Sequence, residues 1–168
     1  MLLATFTIFH VLISIVAIIT GVYVVAGMLL EKPREQWTGV FLATTAVTSA
    51  TGFLFPVHHF MPSHGVGLVS LLMLSAASFA RYRRHLSGLW RPAFVITVAL
   101  ALYLNVFVFI IQAFTKVPAL KSMAPTQSEL PFKVTQLSVL GLFSVITVFA
   151  LIRFRKAQPV GVQTPASQ

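Results

Sequence analysis

Cysteine is absent from the 168 residues. That excludes disulfides, iron–sulfur clusters, thiolate zinc sites and covalently attached c-type haem, so any cofactor has to be held through histidine, oxygen ligands or packing. Aspartate is absent as well, and the three acids, Glu31, Glu35 and Glu129, all fall between apolar runs. A carboxylate relay of the kind that proton-driven pumps and carriers place at membrane depth therefore has no raw material. Charge of either sign is scarce, at 9% of residues against 57% hydrophobic, whereas a soluble domain carries roughly a quarter of its surface as ionised groups. No internal repeat is visible, so the inverted symmetry common in transporters is missing too. These absences leave an all-α integral membrane protein, because lipid admits only helices or closed barrels and the apolar runs are too long for barrel strands.

What charge there is has one sign. The net charge of +9 would suggest nucleic acid in a soluble protein, but here the Lys and Arg residues cluster at the ends of apolar runs, where they set topology. No nucleic-acid partner is expected. The amino terminus has no basic leader, and its apolar run is too long for a cleavable signal, so it is expected to remain as a spanning helix. Leu at the second position and the lack of cysteine leave no lipidation motif.

Five uncharged runs read as spans: 2–30, 37–57, 64–80, 92–115 and 134–152. A hydrocarbon core of ~30 Å needs about 20 residues of helix, so the third run is the shortest candidate, and four spans result if it does not cross. Ser63, in "PSHG", is a candidate N-cap for it. With the amino terminus outside, the cytoplasmic segments hold Lys32, Arg34, Arg81, Arg83, Arg84, Arg91, Arg153, Arg155 and Lys156, and the outer segments hold Lys116, Lys121 and Lys133. The positive-inside rule then favours amino terminus out and carboxyl terminus in. Residues 1–155 form one bundle, and the tail 156–168 has no apolar period and reads as disordered. Arg81, Arg83 and Arg84 are expected to meet anionic lipid headgroups at the inner face, with Trp37, Trp90 and Tyr82 as interfacial anchors.

Helices in lipid associate through small side chains and interhelical hydrogen bonds. The second run supplies a ridge of Thr44, Thr48 and Gly52 beside another of Thr45 and Ser49, and the first offers Ala17 and Gly21 at the same spacing. These read as packing seams.

Polar groups at membrane depth are costly and thus candidates for function. They are His10, Asn105, Gln112 and Gln136. Asn105 and Gln112, seven residues apart, share a face of one helix at about 10 Å separation. The turn "FPVHHFMPSHG" adds His58, His59 and His64, three of the five histidines, and the topology puts all of these near the outer face with the loop "APTQSELPF". A b-type haem held by His10 with His58 or His64 is one reading, with Gln112 and Gln136 nearby. A copper or zinc ion on His58, His59 and His64 is a second, and a quinone pocket is a third. Each residue also has a plain structural use. His58 and His59 suit a wet turn, His64 can help a helix start, and a threonine or carbonyl would satisfy His10. His85, in the arginine-rich loop, suits a headgroup-facing position.

The stretches "FLATTAVTSATGFLFP", "FARY" and "ALYLNVFVFIIQAFTKVPALKSMAPTQSELPF" resemble those of a family of small multi-span bacterial inner-membrane proteins. The resemblance covers nearly all the chain except its tail and implies the same location. The family has no established activity, so no catalytic residue carries over. The expectation is a small redox membrane protein, haem ahead of a bare metal ion, that is no enzyme as an isolated chain. The competing expectation is a non-catalytic accessory or assembly subunit that packs against other membrane-protein subunits.

Overall fold

Leu2–Leu29 contains neither proline nor charge, and it forms one unbroken helix, α1, of 28 residues, about 42 Å long at 1.5 Å per residue. It ends where Glu31 takes a left-handed conformation (φ 57°) just ahead of Pro33. The Lys32 N–H returns to the Gly27 carbonyl at 2.9 Å, and only a glycine fits beneath that turn. A Cβ at Gly27 would lie 2.8 Å from the Lys32 carbonyl oxygen. The computed structural model describes residues 2–32, 34–55 and 62–156, and every helix below falls within them.

The second helix, α2, runs Glu35–Gly52, with Glu35 in its first turn complementing the helix dipole. It stops five residues short of the expected end at Val57. The third, α3, starts at Pro62 and runs to Ser78, so Ser63 lies inside its first turn rather than capping it, and Pro62 opens a helix that has no need of its N–H. It continues through a π-helical turn, Phe79–Arg83, closed by the Arg84 N–H on the Phe79 carbonyl at 3.1 Å. His85, Leu86 and Gly88 then all have positive φ. Leu86 bends back to pack on the core.

Helix α4 spans Trp90–Lys116 and ends because Val117, preceding Pro118, is extended (ψ 117°). A short helix unforeseen in the sequence, α5 (Pro118–Met123), follows with proline in its first turn. Helix α6 runs Leu130–Lys156, longer at both ends than the expected 134–152. His58 and His59, and the tail from residue 157, lie outside the described residues.

Cross-helix contacts show that neighbours run antiparallel. Gly52 approaches His10 and Gly21 approaches Phe41 between α1 and α2, Phe53 meets His64 between α2 and α3, and Phe94 meets Phe154 while Phe114 meets Phe132 between α4 and α6. Helix α2 lies between α1 and α3, while α4 packs on α3, α1 and α6.

Among the described residues four segments are long and apolar enough to cross a membrane: Thr5–Leu29, His64–Arg83, Trp90–Lys116 and Leu130–Phe154. The short third run is among them. Helix α2 is not, because it loses the apolar stretch after Gly52 and is rich in threonine over its 18 residues. This is a multi-pass helical protein by helix length and composition, with α2 as a more polar helix packed among longer ones.

The core is uneven along the bundle. Its apolar cluster holds Val24, Val25 and Met28 from the end of α1, Phe41 and Leu42 from the start of α2, and Leu74 and Ala77 from the end of α3. Phe94, Val95, Val98 and Leu102 come from the first half of α4, and Ala150 and Phe154 from the end of α6. In antiparallel helices these positions share one end, which also carries Lys32, Arg34, Arg81, Arg83, Arg84, Arg91 and Arg153. The other end, containing His10, buries Ser49, His64, Ser70 and Gln136, with Thr45 near the middle.

Candidate functional site

At the His10 end, four helix seams each contain polar groups. His10 projects from α1 onto the last turn of α2, where its Nδ1 lies 2.8 Å from the Thr51 hydroxyl oxygen. Its ring meets the Phe55 ring edge-on at 5.1 Å, and Phe55 in turn lies 5.0 Å from Phe6. The Thr51 hydroxyl also lies within donating distance of the Val47 (2.7 Å) and Thr48 (3.1 Å) carbonyls one turn back. When its proton goes to either carbonyl, the oxygen accepts from His10, so that Nδ1 carries the imidazole hydrogen and the neutral ring's lone pair is on Nε2. In that arrangement the threonine directs which nitrogen can act as a ligand, as the outer partners of metal-bound histidines do.

His64 is buried at the start of α3, stacked on Phe53 with ring centres 5.5 Å apart. Phe53 itself lies over α3, since a Cβ at Gly67 would come within 3.2 Å of its ring. His10 and His64 therefore approach the end of α2 from opposite flanks, one from α1 and the other from α3. Among the described residues no three His, Asp or Glu side chains gather to hold an ion, and two members of the expected three-histidine group, His58 and His59, lie outside them.

Deeper in the bundle the Asn105 amide donates to the Thr45 hydroxyl at 3.1 Å, joining α4 to α2. Three buried polar atoms at this end have no hydrogen-bond partner: Thr48 Oγ1, Ser70 Oγ and Gln136 Oε1. The Gln136 amide nitrogen does reach the Phe107 carbonyl, at 3.3 Å. Gln112, although it shares Asn105's helix face, is exposed where the bundle opens. His10, His64 and Gln136 lie at one end of the bundle but in separate seams: His10 between α1 and α2, His64 between α2 and α3, Gln136 between α4 and α6.

The "TQSE" loop folds on itself. The Glu129 carboxylate accepts the Thr126 N–H at 3.1 Å, the Thr126 hydroxyl at 2.8 Å and the Ser128 N–H at 3.0 Å, while left-handed Gln127 donates to Thr115 at 2.7 Å. Desolvation pushes the Glu129 carboxyl up, but the hydrogen bonds from Thr126 and Ser128 outweigh it and hold the pKa below its ordinary value. This ties the α4–α6 connection to the end of α4.

At the opposite end the arginines are stacked rather than loose. Arg34 lies over Tyr23 at 4.7 Å, Arg81 over Tyr82 at 5.6 Å, Arg84 over Trp90 at 5.2 Å and Arg91 over Phe154 at 5.3 Å. Trp37 meets Tyr23 edge-on, and Trp90 meets Phe79. Arg83 and His85 are exposed. The sequence showed the charges and the aromatics but not their pairing, since Tyr23 and Arg34 belong to different helices' ends and their meeting depends on the turn over Gly27.

Comparison with protein-family models, curated proteins and solved structures finds no match to this chain. Its chemistry therefore rests on the two ends themselves. One presents an imidazole bonded to a threonine beside aromatic rings, and the other a set of guanidiniums stacked on aromatic rings.

Proposed function

We propose that the chain is a small bacterial inner-membrane protein with five membrane-crossing helices, the shorter and more polar α2 crossing inside the bundle where α1, α3 and α4 cover it, amino terminus outside and carboxyl terminus in the cytoplasm, which binds one b-type haem through His10. The observation that carries this reading is the His10–Thr51 hydrogen bond, which, with Thr51 donating to its own helix, leaves Nε2 of His10 as an iron ligand. Phe6 and Phe55 supply apolar ring surface next to it. A second axial imidazole has to bring its nitrogen within about 2 Å of the same iron. His64 sits on the far flank of α2, whereas His58 follows Phe55 by three residues, a reach of at most about 10 Å. His58 is therefore the favoured partner. Such a protein passes electrons and needs no substrate site of its own, consistent with a chain that is not an enzyme in isolation.

A second reading, an accessory or assembly subunit of a membrane complex, is favoured by α6. Along most of its length that helix exposes large apolar side chains, among them Leu137, Leu142, Val145 and Val148.

A visible spectrum of the purified protein after titration with haem, before and after dithionite, separates the two. Haem binding gives a Soret band and a reduced α-band that His10→Ala abolishes, while Thr51→Val weakens affinity by about 10- to 100-fold, as loss of an outer-shell partner does. A wild-type chain that takes up no haem removes the cofactor reading and leaves the accessory one.

A further inference from the structure

Between the ends of α1 and α6 runs a groove of about 280 Å³ lined by Leu29, Leu30, Val145, Ile146, Phe149 and Arg153. All but Arg153 are apolar, and Arg153 stands at its mouth with its side chain 57% exposed. Val145 lies eight residues before Arg153, so the groove reaches about 12 Å from the guanidinium toward the bundle's middle. A phospholipid has the same layout, with an anionic phosphate at the interface and an acyl chain beneath it.

We propose that this groove is a seat for one anionic phospholipid, its phosphate on Arg153 and part of an acyl chain against Leu30, Val145 and Phe149. Charge complementarity identifies the occupant. Near the mouth the only acid among the described residues is Glu31, which touches one guanidinium nitrogen at 3.5 Å in an exposed, weak pair. Arg153's other N–H groups stay available for the planar, two-pronged contact that arginine makes with phosphate. The neighbouring Arg91 is held over Phe154, and Lys32 follows Glu31, so the field at the mouth is positive and favours a net-anionic headgroup over a zwitterionic one. The groove also opens on the apolar outer surface of α1 and α6, the part of the molecule that lipid surrounds.

Native mass spectrometry of the full chain released from detergent tests this, with dioleoyl phosphatidylglycerol and dioleoyl phosphatidylcholine as probes. The wild type retains one phosphatidylglycerol in preference to phosphatidylcholine. R153Q, which removes the phosphate contact, and V145W, which fills the groove, each lower that occupancy about fivefold. E31Q frees the guanidinium and raises it. L137W, an equally exposed change on the other half of α6, leaves it unaltered. Equal retention of the two lipids, wild-type occupancy in R153Q or V145W, no gain in E31Q, or an equal loss in L137W would each overturn the seat, the last by showing general lipid coating instead. The readout is a lipid mass and does not involve His10, so it stands or fails independently of the haem reading.

Discussion

Adding a single methyl group at Gly21 tests the seam where α1, α2 and α4 meet. An ideal Cβ there lies 2.6 Å from Leu102 Cδ1 and 2.7 and 2.9 Å from two ring carbons of Phe41, whereas carbon atoms rest at about 3.5–4.0 Å. The overlap is near 1 Å, and there is nowhere for it to go, because Phe41 is 0% and Leu102 1% exposed. Overpacking of this kind costs about 1–3 kcal/mol, offset by about 0.5–1 kcal/mol from replacing a helical glycine by alanine. Gly141 in α6 is the internal control. Nothing lies within 4 Å of its Cβ position, so Gly141→Ala keeps the helix gain without the clash. The difference between the two variants isolates the clash at about 1–3 kcal/mol, which for a chain of this size corresponds to a Tm several degrees lower for Gly21→Ala. Without cysteine a thiol-reactive dye reports nothing, so unfolding is followed by the fluorescence of Trp37 and Trp90 or by gel filtration after heating. Leu102→Ala costs less in the Gly21→Ala background than in the wild type, because the added methyl fills part of the space it leaves. Equal melting temperatures for Gly21→Ala and Gly141→Ala would refute the packing argument.

The Asn105–Thr45 bond predicts coupling between α4 and α2. A double-mutant cycle of Asn105→Leu and Thr45→Val should give about 0.6 kcal/mol and no more than about 1.7 kcal/mol, the range for interhelical hydrogen bonds in membranes, with zero coupling in thermal melts ruling out the bond. Glu129 predicts an acid-sensitive α4–α6 connection. Its pKa lies below the ordinary value of 4.5 in the folded chain, so its stabilising contribution is fully present above that value and is lost as pH falls through the lowered pKa. Melts from pH 3 to 7 should show a flatter acid limb for Glu129→Gln than for the wild type.

The long helices α1, α4 and α6 were legible in the sequence because lipid imposes their length: each is an uncharged run, closed by Glu31 and Lys32 after α1 and flanked by basic residues at both ends in α4 and α6. The end of α2 was not legible. Phe53 to Val57 continues the apolar run without a charge to mark a stop, and the threonines of α2 read equally well as a spanning helix and as a packed interior one. Pro118 announces the break after α4, but the six residues of α5 are too few to show a helical period. The candidate site was half visible. The restriction of His10, His64 and Gln136 to one end follows from topology alone, while the partners depend on seam register. Thr51 is 41 residues from His10, and the antiparallel alignment that joins them is fixed by Gly21 against Phe41 and Gly27 under the α1–α2 turn.

The two halves of the bundle hold together by different physics. At the arginine end, apolar side chains interlock, and guanidiniums stacked on rings line the rim, each such contact worth about 0.5–1 kcal/mol. Thr38 there bonds its own helix, its hydroxyl donating to the Arg34 carbonyl at 2.9 Å, while the Nε atoms of Arg34, Arg81 and Arg91 are buried without a hydrogen-bond partner in guanidiniums that stack on rings. At the His10 end, hydroxyls and amides replace methyl groups, and Thr48, Ser70 and Gln136 each bury a polar atom that no neighbour satisfies. Such atoms cost stability wherever they are buried; ring stacking offsets part of that cost for the arginines, so local opening is easier at the His10 end. Ser70→Ala and Thr48→Val are therefore expected to raise the melting temperature, since each removes a buried polar atom that no neighbour satisfies.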